Sequence, residues 1–214
     1  MQTSGYFFKE VANIKLNDWL EFFREHMHKK LFSIQDLSQL TSEKRNSLKV
    51  QMNRLVESGV LQREARGWYA NPFNPPGPEE VAMVLRYPSY LSMEYALSRH
   101  GVLSQRVYTL TLITTKLPYT YVRDKATYEY HQVKRSFFFG FEDADGVMMG
   151  SPEKALFDLI YIRMREMDEE TLRSLIDDMY LEELDRDRFQ EILDRSGFSL
   201  PFELPGDLHC TDYS

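Results

Sequence analysis

Four prolines, at positions 72, 75, 76 and 78, divide the chain into two parts. A proline lacks the N–H that helices and sheets use, and its ring clashes with the preceding helical turn. Neither a helix nor a central strand can therefore run through this segment. The sequence predicts a linker over residues 72–78, with one domain over residues 1–71 and a larger one over residues 79–214.

The two parts differ in charge. Residues 1–71 hold 11 Lys and Arg against 8 Asp and Glu, a net charge of +3. Residues 72–214 hold 15 against 25, a net charge of −10. Only the N-terminal part therefore suits a polyanion such as DNA.

Composition indicates an ordinary soluble chain. The single cysteine, Cys210, excludes an intramolecular disulfide framework and a metal site built from several thiolates. The sequence has no apolar run of about 18 residues and no basic segment followed by an apolar core. We therefore expect no membrane association, no secretory signal and a cytoplasmic location.

Residues 31–71 have the pattern of a winged helix-turn-helix domain. Ser33 can cap a short helix through the amide of Asp36, and Ser42 can cap a longer helix that ends before Gly59. A two-stranded wing is predicted from residues 60–65 and 68–70, with a tight turn between them. A helix over residues 17–28 completes the predicted three-helix core.

The longer helix carries polar residues opposite its apolar stripe of Leu48, Met52, Leu55 and Val56. Asn recognises adenine, Arg and Lys recognise guanine, valine can touch a thymine methyl, and arginines on a wing can meet phosphates. The predicted DNA-binding residues are Arg45, Asn46, Ser47, Lys49, Val50, Asn53, Arg54, Arg63 and Arg66. Because the positive charge is small, we expect a homodimer on two half-sites of operator DNA. The alternative is a helical hairpin with a solvated basic face.

The C-terminal part predicts an α+β domain in which helices accompany a small, mostly antiparallel sheet. Its strands are expected over residues 107–114, 119–122, 127–133, 136–141 and 147–149. Its helices are expected over residues 78–85, 92–100, 152–162, 169–184 and 186–195. The strongest signal for the start of a helix is Ser151 as the N-cap, followed by Pro152 at the first helical position.

Several segments together resemble the AbiEi-like antitoxins of type IV toxin–antitoxin systems, which act in abortive infection. They are residues 31–71, YPSYLSMEYALSRHGVLSQ, RVYTLTLITTK, YEYHQV and GVMMGSPEKALFDLIY. The family's Ser-Pro-Glu-Lys-Ala-Leu-x-Asp pattern is intact at residues 151–158. Its Tyr-Ile-Ser-x-x-Ser-Ala-Leu pattern appears at residues 90–97, with Tyr95 where a small residue is usual.

The resemblance implies an antitoxin whose winged helix represses its own operon. Its C-terminal domain would counteract a nucleotidyltransferase-like toxin by direct contact, by protecting the target or by modifying the toxin. The resemblance assigns the antitoxin role to Ser92, His100, Ser151, Glu153, Lys154 and Asp158. A structural role explains these residues equally well, with Asp158 bonded to Tyr161 or Arg163.

Residues 166–194 hold 12 acidic and 3 basic side chains, a net charge of −9. This segment is either the solvated face of two helices or a surface that meets a basic toxin.

Other classes of function fit the sequence less well. A nucleotidyltransferase needs two carboxylates two residues apart after a Gly-Ser turn, but only Asp158 follows Gly150 and Ser151. We therefore expect no enzyme, no catalytic residue, no cofactor and no metal. The main alternative is a winged-helix transcriptional regulator whose second domain senses a ligand or dimerises. A third hypothesis is a metal-dependent nuclease or nucleotidyltransferase.

Overall fold

A computed structural model describes residues 15–123 and 126–204, and the chain divides into two compact units between Leu85 and Arg86. The fold is α+β. The expected linker at residues 72–78 lies within the first unit, because the helix that begins at Pro78 packs against a strand of that unit. Cys210 lies outside the described residues.

Unit 1 is described from residue 15 to residue 85. Its elements, in chain order, are α1 (Leu16–Glu25), β1 (Leu31–Ser33), α2 (Ile34–Thr41), α3 (Arg45–Glu57), β2 (Arg63–Ala65), β3 (Trp68–Ala70) and α4 (Pro78–Leu85). The strands form an antiparallel sheet in the order β1-β3-β2, with Phe32 opposite Tyr69. An aromatic and aliphatic core joins the sheet to α1, α2 and α3.

Two local predictions in unit 1 are confirmed. The Ser33 hydroxyl accepts a 3.0 Å hydrogen bond from the amide of Asp36, and the Asp36 carboxylate accepts one from the amide of Ser33. This reciprocal capping box begins α2. At the end of α3, Gly59 adopts a φ of 74°, which glycine accommodates without a Cβ clash.

The predicted cap at Ser42 is wrong. Ser42 lies after α2 with a φ of 59°, and α3 begins three residues later at Arg45. Side chains of α2 hold the turn instead: the Thr41 hydroxyl bonds back to the carbonyl of Leu37, and Ser38 bonds to the carbonyl of Glu43. Ser42 is therefore the left-handed residue that ends α2.

The helix α1 is shorter than predicted because Asn71 binds the chain beyond it. The side-chain nitrogen Nδ2 of the buried Asn71 lies 3.0 Å from each of the carbonyl oxygens of Phe23, His26 and Lys29. These contacts turn the chain away from the helix and towards β1, a strand that the sequence did not predict.

Unit 2 is described over residues 86–123 and 126–204. Its elements are β4 (Ser89–Leu91), α5 (Met93–Arg99), β5 (Leu110–Thr114), β6 (Tyr119–Arg123), β7 (Ala126–Gln132), β8 (Phe141–Ala144), β9 (Val147–Gly150), α6 (Pro152–Arg163), α7 (Glu169–Asp177) and α8 (Arg186–Ser196). Two short 3-10 turns cover Arg135–Phe137 and Leu181–Glu183.

The sheet of unit 2 has six strands among the described residues, in the order β6-β7-β5-β4-β9-β8. The pairs β5–β7 and β4–β9 are parallel and the other three are antiparallel, so the sheet is mixed and larger than predicted. The largest core cluster of the unit contains α6, α5 and α8 together with Tyr90 and Ile113 of the sheet. It makes α6 the central helix of the unit.

Two element predictions in unit 2 are wrong. Residues 136–141 do not form one strand, because Phe137 and Phe139 both enter the core beside a 3-10 turn and the strand starts only at Phe141. The helix predicted over residues 169–184 ends at Asp177. The chain then pairs with the loop after α5, where the amide of Tyr180 donates to the carbonyl of Val102.

Within residues 15–123 and 126–204, each helix is too short or too polar to cross a membrane.

Candidate nucleic-acid interface and the buried motif cluster

The helix α3 has one buried side and one exposed side. Leu48, Met52 and Leu55 anchor it in the core of unit 1. The predicted contact residues on this helix all lie on the exposed side: Arg45, Asn46, Ser47, Lys49, Val50, Asn53 and Arg54. Val50 is 52% exposed, which gives this polar surface an apolar centre.

A buried glutamine fixes the orientation of α3 relative to α1. The indole nitrogen of Trp19 donates to Gln51 Oε1 at 3.0 Å, and Gln51 Nε2 donates to the hydroxyl of Ser47 at 2.9 Å. This role of Gln51 is not among the roles predicted from the sequence. The signal was a polar residue within the apolar stripe, since a buried amide requires partners.

The predicted turn between β2 and β3 is confirmed at Arg66 and Gly67, where Gly67 has a φ of 80°. The carbonyl of Gly67 accepts a 3.0 Å bond from the amide of Ile34, which ties the hairpin to the start of α2. Arg63 and Arg66 are both exposed, and Arg63 Nε donates to the carbonyl of Ala65. The strand β2 is only half as long as predicted.

The electrostatics of α3 favour an anion at its start. The first turn contains no acidic residue and begins with Arg45. Unpaired amides and the helix dipole make a helix N-terminus locally positive, and arginine adds a full charge. An exposed surface of amides, cations and one valine can contact phosphates and the edges of bases.

The Ser-Pro-Glu-Lys-Ala-Leu-x-Asp segment forms a buried network in unit 2. Asp158, which has no exposed surface, accepts a 2.7 Å hydrogen bond from Tyr90 and a 2.8 Å bond from Ser92. It also forms an ion pair with Lys154, one helical turn earlier. Asp158 thus joins the two sequence patterns at residues 90–97 and 151–158.

The ammonium of Lys154 is surrounded by aromatic rings. Its Nζ lies 4.5 Å from the ring centre of Phe157 and 5.0 Å from that of Phe139. Gly140 packs against its methylene groups so closely that a Cβ at Gly140 would lie 3.0 Å from Lys154 Cγ. The site is sealed around the charge.

Burial moves the pKa values of this network. Desolvation raises the pKa of Asp158 and lowers that of Lys154, and their ion pair opposes both shifts. Burial, together with the Asp158 charge, raises the pKa of Tyr90 well above its usual value. Tyr90 is therefore a permanent hydroxyl donor, and the network stabilises the fold by satisfying a buried carboxylate.

The remaining predicted antitoxin residues surround the same helix start. The Ser151 hydroxyl accepts from the amide of Lys154 and caps α6, as predicted. The His100 ring lies 2.8 Å from the carbonyl oxygen of Gly150. Glu153 accepts a bond from the amide of Asp185, at the start of α8.

The predicted pairing of Asp158 with Tyr161 or Arg163 is wrong. Arg163 pairs with Glu94 and Glu166 instead. Asp158 faces the sheet, so its two hydroxyl partners are Tyr90 of β4 and Ser92 just after it. The sequence did not predict this short strand. Tyr90 belongs to the pattern at residues 90–97, but nothing in the sequence pairs it with Asp158.

Several acidic residues of the segment 166–194 have structural partners. Asp168 and Asp185 cap α7 and α8, and Glu169 pairs with Arg173. Others, including Asp177, Glu182 and Glu183, are exposed. In the described part of the chain, no group of three or more His, Cys, Asp or Glu is arranged to hold a metal ion.

No protein-family model matches the chain, and a search of curated proteins found no relative. The AbiEi-like resemblance therefore stays a prediction.

Proposed function

We propose that this chain is a DNA-binding regulator that contacts operator DNA through α3 and the β2–β3 hairpin. The observation that carries the proposal is the exposed side of α3, which presents Asn, Lys and Arg from its first turn to its last. The element order α1-β1-α2-α3-β2-β3, with the hairpin next to α2, is the order expected for a winged helix.

The residue types suggest a division of roles. Asn46 and Asn53 are suited to adenine, Lys49 to guanine, and Val50 to a thymine methyl. Arg66, at the tip of the hairpin, is suited to the phosphate backbone, which carries affinity and no base information. Unit 1 would therefore combine base recognition on a helix with backbone contacts on a hairpin.

We further propose that the regulator is the antitoxin of a pair with a nucleotidyltransferase-like toxin. The resemblance supports this, and Asp158 links the two patterns at residues 90–97 and 151–158 into one network. Buried residues such as Lys154 and Asp158 cannot touch a separate protein. They would hold the antitoxin domain in its fold, while exposed acids of residues 166–194 would contact the toxin.

A binding measurement tests the DNA proposal. The Lys49→Ala/Arg54→Ala variant should bind its operator at least about ten-fold more weakly, because each good contact to a base contributes about 1–3 kcal/mol. The matched control is Arg186→Ala/Arg188→Ala, which removes two exposed arginines from α8 of unit 2. Equal affinity of the α3 variant and the control would exclude α3 as the recognition helix.

The antitoxin proposal has its own test. A nucleotidyltransferase encoded beside this chain should be toxic to cells when it is expressed alone. The same cells should tolerate it when this chain is co-expressed. Glu182→Lys/Glu183→Lys should weaken protection, whereas Glu142→Lys/Glu203→Lys makes the same charge change elsewhere and should not. Protection that neither variant changes would remove the acidic segment from the account.

A further inference from the structure

The hydroxyl of Ser47 lies at the end of a buried chain of hydrogen bonds that has one direction. The indole N–H of Trp19 can only donate, so the Gln51 oxygen that lies 3.0 Å from it is the acceptor. This contact decides which end of the Gln51 amide faces Ser47. That end is the nitrogen Nε2, which can only donate, and it lies 2.9 Å from Ser47 Oγ. The Ser47 oxygen therefore accepts a bond from inside the protein.

The hydrogen of the Ser47 hydroxyl is directed outwards. A serine in a helix often donates back to the carbonyl three or four residues earlier. For Ser47, the nearer of these carbonyls is that of Lys44, which already accepts a 3.0 Å bond from the amide of Leu48. The other is that of Glu43, which accepts a 2.8 Å bond from the hydroxyl of Ser38. Ser47 itself is exposed, so its hydrogen can reach a partner outside the chain.

The bond from Gln51 favours donation over acceptance at this hydroxyl. It occupies one of the two lone pairs of the Ser47 oxygen. It also polarises the O–H bond, because hydrogen bonds in a chain strengthen one another. The exposed side of α3 therefore presents a hydrogen-bond donor at Ser47 that carries no charge.

An apolar side chain lies next to this donor. Val50 follows Ser47 by three residues on α3, a spacing that brings the Cβ atoms of helical neighbours to about 5–6 Å. Val50 is 52% exposed, so its methyl groups are available to a partner. A single ligand group can therefore meet a hydroxyl hydrogen and a methyl group at the same time.

We propose that Ser47 and Val50 together recognise one thymine in the major groove, and that Gln51 positions the Ser47 hydroxyl for this contact. Thymine is the base whose major-groove edge carries an acceptor, O4, beside a methyl group. Cytosine has an amino donor and no methyl group, and neither purine has a methyl group. This assignment rests on the proposed contact of α3 with operator DNA, and it adds the base and the pair of side chains that reads it.

Two base analogues separate the two contacts. 5-Methylcytosine keeps the methyl group of thymine but replaces O4 by an amino donor, whereas uracil keeps O4 and lacks the methyl group. A phosphate contact by Ser47 would be blind to both analogues, because the backbone carries no base information. Operator duplexes are first selected from a random library with the parent chain. Each thymine is then replaced in turn by 5-methylcytosine, paired with guanine, or by uracil.

The parent chain should show both effects at one thymine. There, 5-methylcytosine should weaken binding at least about five-fold, because one hydrogen bond is lost and a donor faces a donor. Uracil at the same position should weaken binding about three-fold, because one methyl group is no longer buried.

Variants assign each effect to a side chain. Ser47→Ala should shrink the 5-methylcytosine effect at least about three-fold and keep the uracil effect, and Val50→Ala should do the reverse. Gln51→Met removes the amide that donates to Ser47, so it should shrink the 5-methylcytosine effect at least about two-fold. The uracil effect should persist in Gln51→Met, as a merely structural role of Gln51 does not predict. Ser58→Ala makes the same change as Ser47→Ala at the other end of α3 and should match the parent chain.

The outcomes separate this inference from the DNA proposal on which it rests. A 5-methylcytosine effect that Ser47→Ala leaves unchanged at every thymine would overturn the inference, and so would an equal loss of affinity for all duplexes in Ser47→Ala. An undiminished 5-methylcytosine effect in Gln51→Met would overturn the positioning role. A parent chain that selects no sequence from the library would instead overturn the proposed operator binding.

Discussion

The buried ion pair between Lys154 and Asp158 makes the sharpest prediction about the fold. Two single substitutions each remove one charge: Asp158→Asn leaves the ammonium among aromatic rings, and Lys154→Met leaves the carboxylate with only two hydroxyl donors. Removing one partner of a buried pair costs about 3–5 kcal/mol, because the other charge stays desolvated. Each variant should lose stability by that amount near neutral pH.

The double variant Lys154→Met/Asp158→Asn should be more stable than the two single losses predict. Its asparagine oxygen can still accept a hydrogen bond from Tyr90 or Ser92, and no unpaired charge remains. Residues in direct contact show coupling energies of about 0.5–3 kcal/mol, and a buried pair belongs at the upper end. We expect a coupling of about 2 kcal/mol or more.

The two single variants should respond to pH in opposite directions. In Asp158→Asn, burial lowers the pKa of Lys154, so the unfolded state binds more protons and stability recovers as pH rises towards the usual 10.5 of a lysine. In Lys154→Met, burial raises the pKa of Asp158, so the folded state binds more protons and stability recovers as pH falls from neutral towards the usual 3.8 of an aspartate.

Urea unfolding followed by far-UV circular dichroism measures both effects. The two tryptophans, Trp19 and Trp68, both lie in unit 1, so tryptophan fluorescence reports that unit and serves as an internal control. Losses below about 1 kcal/mol, or pH trends with the same sign in both single variants, would refute a buried, desolvated pair.

Two further predictions concern local geometry. Burial raises the pKa of Asp36, but hydrogen bonds from Ser33 and the charge of a nearby lysine outweigh burial, so the pKa is lowered overall. The stability that these contacts give is therefore lost as pH falls below the usual 3.8. In an acid titration followed by tryptophan fluorescence, Asp36→Asn should remove this pH dependence. Gly140→Ala should lower the free energy of unfolding in urea by about 2–4 kcal/mol, because a positive φ and a clash with Lys154 add together. Gly146→Ala, with a similar φ and open space around it, should cost only about 1–2 kcal/mol. Equal losses would contradict the clash.

Local signals in the sequence predicted the ends of several helices correctly. The cap at Ser33, the cap at Ser151 and the bounds of α4 all depend on residues within one helical turn. The exposed side of α3 was likewise predictable, because helical periodicity separates it from Leu48 and Met52. Such features need no knowledge of the rest of the fold.

Long-range features were not predictable in the same way. The strand β4 has three residues, too few for an alternating pattern, and it acquires its place by pairing with β5 and β9. The partners of Asp158 lie 66 and 68 residues away on and beside that strand. The role of Asn71 has no local signal, because its three carbonyl partners lie more than 40 residues earlier.

The proposal that α3 reads DNA is tested most directly by selecting duplexes from a random library. The parent chain should enrich one sequence, and Lys49→Ala/Asn53→Ala should lose that preference because its base contacts are gone. Arg66→Ala should enrich the parental sequence but lower the slope of log affinity against log salt by about 0.9, the value for one phosphate contact. Enrichment of the same sequence by the parent chain and by Lys49→Ala/Asn53→Ala would contradict the account.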